Sequence, residues 1–123
     1  MTAASEVLIV DDDADIREAL SGVLTLDGLD VVSFGDAREA LGWLDQGHVP
    51  AVVLLDLMMP TMNGWEFVQE LTRRPALSGL PVIVLTGAAE SGGLHVRSLL
   101  KKPVDLDVLL SEVRRWTGNG APG

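Results

Sequence analysis

Cysteine is absent from this 123-residue chain, which excludes a disulfide framework, a thiolate metal site and a thiolate nucleophile. Basic residues are scarce, 9 Lys and Arg against 18 Asp and Glu, for a formal net charge of −9. The Arg residues cluster only in short pairs such as Arg73-Arg74 and Arg114-Arg115. A duplex-binding surface needs a basic patch or stripe, so direct nucleic-acid binding is not expected. No apolar run approaches the roughly 18 residues that span a bilayer. Met1 to Glu6 offers neither a basic n-region nor an apolar h-region. No internal repeat, low-complexity tract or linker interrupts the chain before its last few residues. The expectation is a stand-alone cytoplasmic protein away from membranes, a single domain over 1–123 with an ordered core at about 5–117.

What is present is apolar and periodic, with 47% hydrophobic residues. The central stretch runs Ala51-Val52-Val53-Leu54-Leu55-Asp56-Leu57-Met58-Met59-Pro60. An unbroken apolar run with β-branched members predicts a strand buried on both faces, and Pro60 cannot continue its ladder. Glu6-Val7-Leu8-Ile9-Val10 repeats the pattern and ends in Asp11-Asp12-Asp13. Asp13 is a candidate N-cap for a helix from about Ala14, with Ile16, Leu20, Val23 and Leu24 on one face and Gly28 closing it. Asp30 to Phe34 reads as a strand. Asp36 then caps a helix with Ala37, Ala40, Leu41 and Leu44 inward, ended by Gly47. Thr61-Met62-Asn63-Gly64 reads as a turn of positive φ, before a helix that carries Phe67, Val68 and Leu71. Pro81 to Thr86 is a fourth strand, Val96 to Leu100 a fifth, and Asp105 caps a last helix with Leu106, Leu109, Leu110 and Val113 inside.

Strands alternating with helices predict a doubly wound α/β fold, a five-stranded parallel sheet in a three-layer αβα arrangement of flavodoxin-like order 2-1-3-4-5. All carboxyl ends of a parallel sheet lie on one edge, so Asp11, Asp12, Asp56, Thr86 and Lys102 converge there. Each alone has a bland reading: Asp56 as a turn cap, Asp11 to Asp13 as a solvated helix start, Thr86 as a strand-end hydroxyl, Lys102 as a surface charge. Together they are specific. Three close carboxylates repel one another unless a cation sits among them, and oxygen ligands without His or Cys suit Mg²⁺. A strand-end carboxylate can also act as a nucleophile toward phosphorus. His48 and His95 are lone and read as surface or structural residues. Trp43 and Trp116 read as covers on the edges of helical stripes, and Trp65 as a residue facing solvent near the site.

Val7-Leu8-Ile9-Val10-Asp11-Asp12-Asp13, Leu54-Leu55-Asp56-Leu57-Met58-Met59-Pro60, Asn63-Gly64, Val84-Leu85-Thr86-Gly87 and Lys102-Pro103 resemble, in order and over nearly the whole chain, the receiver domains of two-component response regulators. The resemblance implies that Asp56 is the phosphoacceptor for a sensor histidine kinase or phosphotransfer protein. It implies Mg²⁺ held by the carboxylates of Asp12 and Asp56, the backbone carbonyl of Met58, and Asp11 through a water. Thr86 would bond a phosphoryl oxygen and Lys102 would pair with the phosphoryl group. The output would pass to a downstream protein partner, with dimerisation open through the fourth-helix, fifth-strand and fifth-helix face. Two other readings compete. A phosphatase of the haloacid-dehalogenase type also forms an aspartyl-phosphate, but usually carries a second Asp two residues on, where this chain has Met58. A scaffold of the same fold would ignore phosphate. On the leading reading the chain is no enzyme beyond its own phosphorylation and dephosphorylation.

The chain departs from the family pattern in two places. The aromatic often found three positions before the lysine is Leu99, and strands at 82–86 and 96–100 leave nine residues between them. Such a crossover normally needs about a dozen or more, and Gly92-Gly93 disfavours a helix, so the fourth helix is expected to be short or missing. Leu99 has no polar handle for a rotamer switch, which points to an order–disorder response over 87–95. Hydrogen exchange across Gly87 to Leu100 should show weak protection that rises on adding Mg²⁺ with a phosphoryl mimic. Strong protection in the unliganded protein defeats this.

Overall fold

The computed structural model describes residues 6–57, 59, 62–86, 98–101 and 104–117. The elements are β1 (Glu6–Val10), α1 (Ala14–Leu26), β2 (Asp30–Phe34), α2 (Ala37–Asp45), β3 (Val52–Asp56), α3 (Gly64–Thr72), β4 (Val82–Thr86), β5 (Ser98–Lys101) and α4 (Leu106–Thr117). All strand pairs are parallel and the sheet order is β2-β1-β3-β4-β5. This is the expected doubly wound order. β5 is described over Ser98–Lys101 and pairs with Ile83 to Thr86; the first two residues of the expected fifth strand, 96 and 97, lie outside the described residues. The expected short or missing helix over 87–95 lies outside the described residues.

Alternate side chains of the central strands feed two cores. Leu8, Val10, Val53, Leu55, Val82 and Val84 face α2 and α3, where they meet Ala40, Leu44, Phe67 and Leu71. Val7, Ile9, Val52, Leu54, Ile83 and Leu85 face the other way and meet Leu20 and Leu24 of α1 and Leu109 and Val113 of α4. Every residue of β3 is buried, which is why its sequence shows no polar alternation. Among the described residues no helix is long and apolar enough to cross a membrane.

The helices start where their capping residues direct. Asp13 accepts from the N–H groups of Asp15 and Ile16 at 2.9 and 3.3 Å, Asp36 from that of Arg38 at 2.7 Å, and Asp105 from that of Asp107 at 2.9 Å. Gly28 and Gly47 take positive φ of 88° and 104°, closing α1 and α2 as their glycines predict. Three local readings are corrected. Asn63-Gly64 is no positive-φ turn: Asn63 is the N-cap of α3, its side chain accepting from Glu66 N–H while Glu66 accepts from Asn63 N–H, both at 3.0 Å. This is a capping box, and its reciprocal bonds hold Asn63 extended rather than left-handed. Leu106, expected inside, stands exposed at the first position of α4, a turn ahead of the residues that reach the sheet. Trp65, expected to face solvent, does so only in part and packs the rest of its surface against the α2–α3 core.

Far from the helix starts, ion pairs tie helix ends together. Arg74 bonds both carboxylate oxygens of Asp45, at the end of α2, at 2.7 and 3.0 Å, and also reaches Glu70 of α3. Arg114 of α4 forks onto Asp27, the C-cap of α1. The Arg74 hydrogen bond holds the Asp45 carboxyl below the usual range. A depressed folded value means that the pair's contribution is present at neutral pH and lost as pH falls through the acid range. For so exposed a pair the contribution is small.

Gly64 has a steric reason to be glycine. Its N–H donates to the Leu57 carbonyl at 3.0 Å, and a Cβ there would stand 2.8 Å from Leu57 Cα and 3.0 Å from the Asp56 carbonyl oxygen. Helix propensity alone favours Ala over Gly by at most about 1 kcal/mol, whereas forcing a methyl against packed backbone costs about 1–3 kcal/mol. Gly64→Ala should therefore lower the urea midpoint; a raised midpoint would show that the loop after β3 yields freely.

Candidate functional site

In a doubly wound sheet the ligand crevice opens beyond the carboxyl ends of the strands, where the strand order reverses. Here the chain leaves β1 for β2 on one side and then returns to β3 on the other, so the reversal lies between β1 and β3. The register pairs Val10 with Leu55, and the residues that follow these two are Asp11 and Asp56. The crevice is thus lined by acids from both of its walls.

The structure brings Asp11, Asp12 and Asp56 together, with one carboxylate oxygen from each lying within 4.8 Å of the others. Asp11 is fully buried, Asp56 is 4% exposed, and Asp12 faces solvent. The cluster therefore has a buried floor and an open side. Asp11 is also braced locally. Its N–H donates to the Phe34 carbonyl at 3.1 Å, its Oδ1 accepts from Asp13 N–H at 2.9 Å, and its carbonyl accepts from Arg17 Nη1 at 2.7 Å. Asp56 closes a strand buried along its whole length, and Gly64 packs against its carbonyl and the adjoining Leu57.

Of the other expected site residues, Thr86 closes β4 and its backbone pairs with Lys101 of β5, which sets both on the carboxyl edge. Met58 and Lys102 lie outside the described residues. Sequence reasoning missed Arg17, Gly35 and the Asn63–Glu66 box. The box does carry a sequence signal, Asn followed three residues later by Glu, masked by the Asn-Gly pair inside it. Arg17 carries none, because its contact with Asp11 exists only once α1 has folded back over the end of β1.

The donor set fits a hard divalent cation: three carboxylates, no nitrogen or sulfur ligand among them, and one side left open for water. Like charges so close, two of them buried, call for a counter-charge.

Strand order and acidic reversal point together define a flavodoxin-like α/β domain with its working edge at β1 and β3. The family described as response regulator receiver domain matches residues 7–114, and the chain belongs to that family. It is 38% identical over 92% of its length to the C4-dicarboxylate transport transcriptional regulatory protein DctD of Pseudomonas aeruginosa, of which it covers 25%. It is 34% identical over 93% of its length to the response regulator Rre1 of Synechocystis, of which it covers 52%. The chain thus spans between a quarter and about half of these relatives. Among solved structures, a response regulator receiver protein from Pseudomonas putida aligns with a TM-score of 0.82 at 32% identity, covering 94% of this chain and 99% of that one. The chemotaxis protein CheY4 of Vibrio cholerae aligns at 0.83 with 29% identity, covering 91% and 98%.

Gathering like charges stores repulsion that one deletion relieves. Asp12→Ala should raise the melting temperature in EDTA by a few degrees while shrinking the shift that Mg²⁺ confers through native-state binding. A variant that melts lower in EDTA and still responds fully to Mg²⁺ would show that the three acids do not act as one cluster.

Proposed function

We propose that the chain is a phosphoryl-accepting switch, with Asp56 as the acceptor. The observation that carries this reading is the convergence of Asp56 with Asp11 and Asp12 at the reversal point of the sheet. A carboxylate oxygen of Asp56 attacks the phosphorus of a phosphohistidine on a sensor histidine kinase or phosphotransfer protein. The P–N bond breaks, the imidazole leaves with its electron pair, and an acyl phosphate forms on Asp56. Attack of water on the same phosphorus later returns the carboxylate and inorganic phosphate. The chain thus catalyses only its own phosphorylation and dephosphorylation.

The surrounding residues divide the work by position. Asp12, at the open side, and Asp56 would hold Mg²⁺ with the Met58 carbonyl, Asp11 contributing through a water. Bound there, Mg²⁺ would neutralise the charge that gathers on the transferring phosphoryl group. Thr86, at the end of β4, is suited to donate its hydroxyl to a phosphoryl oxygen, and Lys102 to pair with the phosphoryl charge. Asp11, buried and braced from three directions, keeps the floor of the site from collapsing onto the acceptor. The transcriptional function named for DctD belongs to a protein of which this chain covers a quarter. The acidity of this chain favours a protein partner as the direct recipient of its signal, with self-association through the face of β5 and α4 as one form of output.

The deciding measurement is intact mass after incubation with a small phosphodonor and Mg²⁺. The expected result is a single phosphoryl adduct that Asp56→Asn abolishes and EDTA slows at least about tenfold. No adduct under conditions that label another receiver would leave a scaffold. Sustained turnover of a phosphomonoester above a Mg²⁺ blank would make the chain a phosphatase instead.

A further inference from the structure

Arg17 and Gly35 form a pair that the acceptor chemistry does not use. β1 and β2 are in register, with Val10 opposite Phe34, so the residues that follow them, Asp11 and Gly35, emerge side by side. Arg17, in the first turns of α1, folds back over this gap. Its Nη1 donates to the Asp11 carbonyl at 2.7 Å, a charge-assisted bond from a group that never loses its proton. The space the guanidinium needs is provided by Gly35. An ideal Cβ at that position would lie 2.7 Å from Arg17 Nη1 and 3.2 Å from Cζ, and the three nearest heavy atoms all belong to Arg17. Gly35 is not among the described glycines with positive φ, which are Gly28 and Gly47. Its missing side chain thus serves clearance rather than backbone conformation.

From this geometry we infer that Arg17, seated in the Gly35 notch, is a positioning residue for the acidic cluster. It fixes the backbone of Asp11, and through it the adjoining Asp12, in the placement that receives the cation. The inference rests on the Mg²⁺ site proposed above. The contact is aimed at a neutral carbonyl at the base of the cluster, so it acts on placement. Groups that orient a metal's ligands from behind commonly change affinity by about 10–100-fold when removed. A clamp on the ligands' backbone should fall near the lower end of that range.

The glycine supplies a second way to break the clamp. A methyl at position 35 meets only the far end of a flexible side chain, so Gly35→Ala should unseat the guanidinium while leaving every charge in the protein. The test is a Mg²⁺ titration of Arg17→Met, Gly35→Ala and the double variant, followed by the amide shifts of Asp12 and Asp13, with melting in EDTA measured alongside. Each single variant should weaken Mg²⁺ binding about tenfold, and the double variant should be no worse than either, as expected of two halves of one contact. Arg17→Lys, which keeps the charge and one donor, should recover part of the loss. Melting points that fall in EDTA with Mg²⁺ affinity unchanged would reduce the pair to packing and overturn the inference. So would tighter binding in Arg17→Met, which would mean that the guanidinium acts by charge, or losses that multiply in the double variant. A wild-type chain without a saturable Mg²⁺ response would overturn the metal site itself and this role with it, whereas a normal wild-type response beside unaffected variants removes only the clamp.

Discussion

The constraint on which the rest of the structure depends is the holding of three carboxylates within 4.8 Å of one another, two of them out of water. Like charges gathered this closely in a region of low dielectric repel one another. The fold imposes the arrangement. β1 and β3 are adjacent, parallel and locked in register by a ladder buried on both faces. Moving either acid away would require slipping a strand and turning its apolar side chains out of their core. The burial of Leu8, Ile9, Leu54 and Leu55 is therefore what places the acids.

The extent to which the sequence disclosed this follows from the range of each interaction. Asp13, Asp36 and Asp105 act on N–H groups two or three residues away, and the helices begin where those residues predict. The unbroken apolar runs reveal β1, β3 and β4 because burial on both faces leaves no alternation to misread. Where two local signals overlapped, the wrong one was legible. Asn63-Gly64 has the composition of a left-handed turn, but Glu66 three residues on turns Asn63 into a helix cap, and Gly64 is glycine because Leu57 lies against it. Leu106 matched the apolar period of its helix yet sits exposed, since a period marks a face and not which turns of that face meet the sheet. Of the candidate site, the three acids were readable from strand ends alone. The Arg17–Gly35 contact was not, because it joins a helix, a loop and a second strand through register that only the folded sheet defines.

The two edges of the sheet have been given different electrostatics. Each described helix starts at the carboxyl edge and runs back toward the amino edge, so Asp27 and Asp45, at the ends of α1 and α2, lie away from the site. There they meet Arg114 and Arg74. The arginine forks onto Asp27 and Asp45 are at one edge of the sheet, and the three gathered acids are at the other. A net charge of −9 is thus not spread evenly in effect, since part of it is answered where the helices are pinned.

That division gives ionic strength two separate points of action. At physiological salt the screening length is about 8 Å, and screening reaches exposed pairs far more than buried ones. The Arg74–Asp45 fork, with about a quarter of the arginine side chain and about half of the aspartate side chain in solvent, weakens as monovalent salt rises. The repulsion between Asp11 and Asp56 is shielded by protein and changes little, while that of the exposed Asp12 is eased. Salt therefore loosens the ends of the helices and relaxes only the rim of the acidic crevice, so that the pinned edge and the working edge of one small sheet respond to the same solvent in opposite senses.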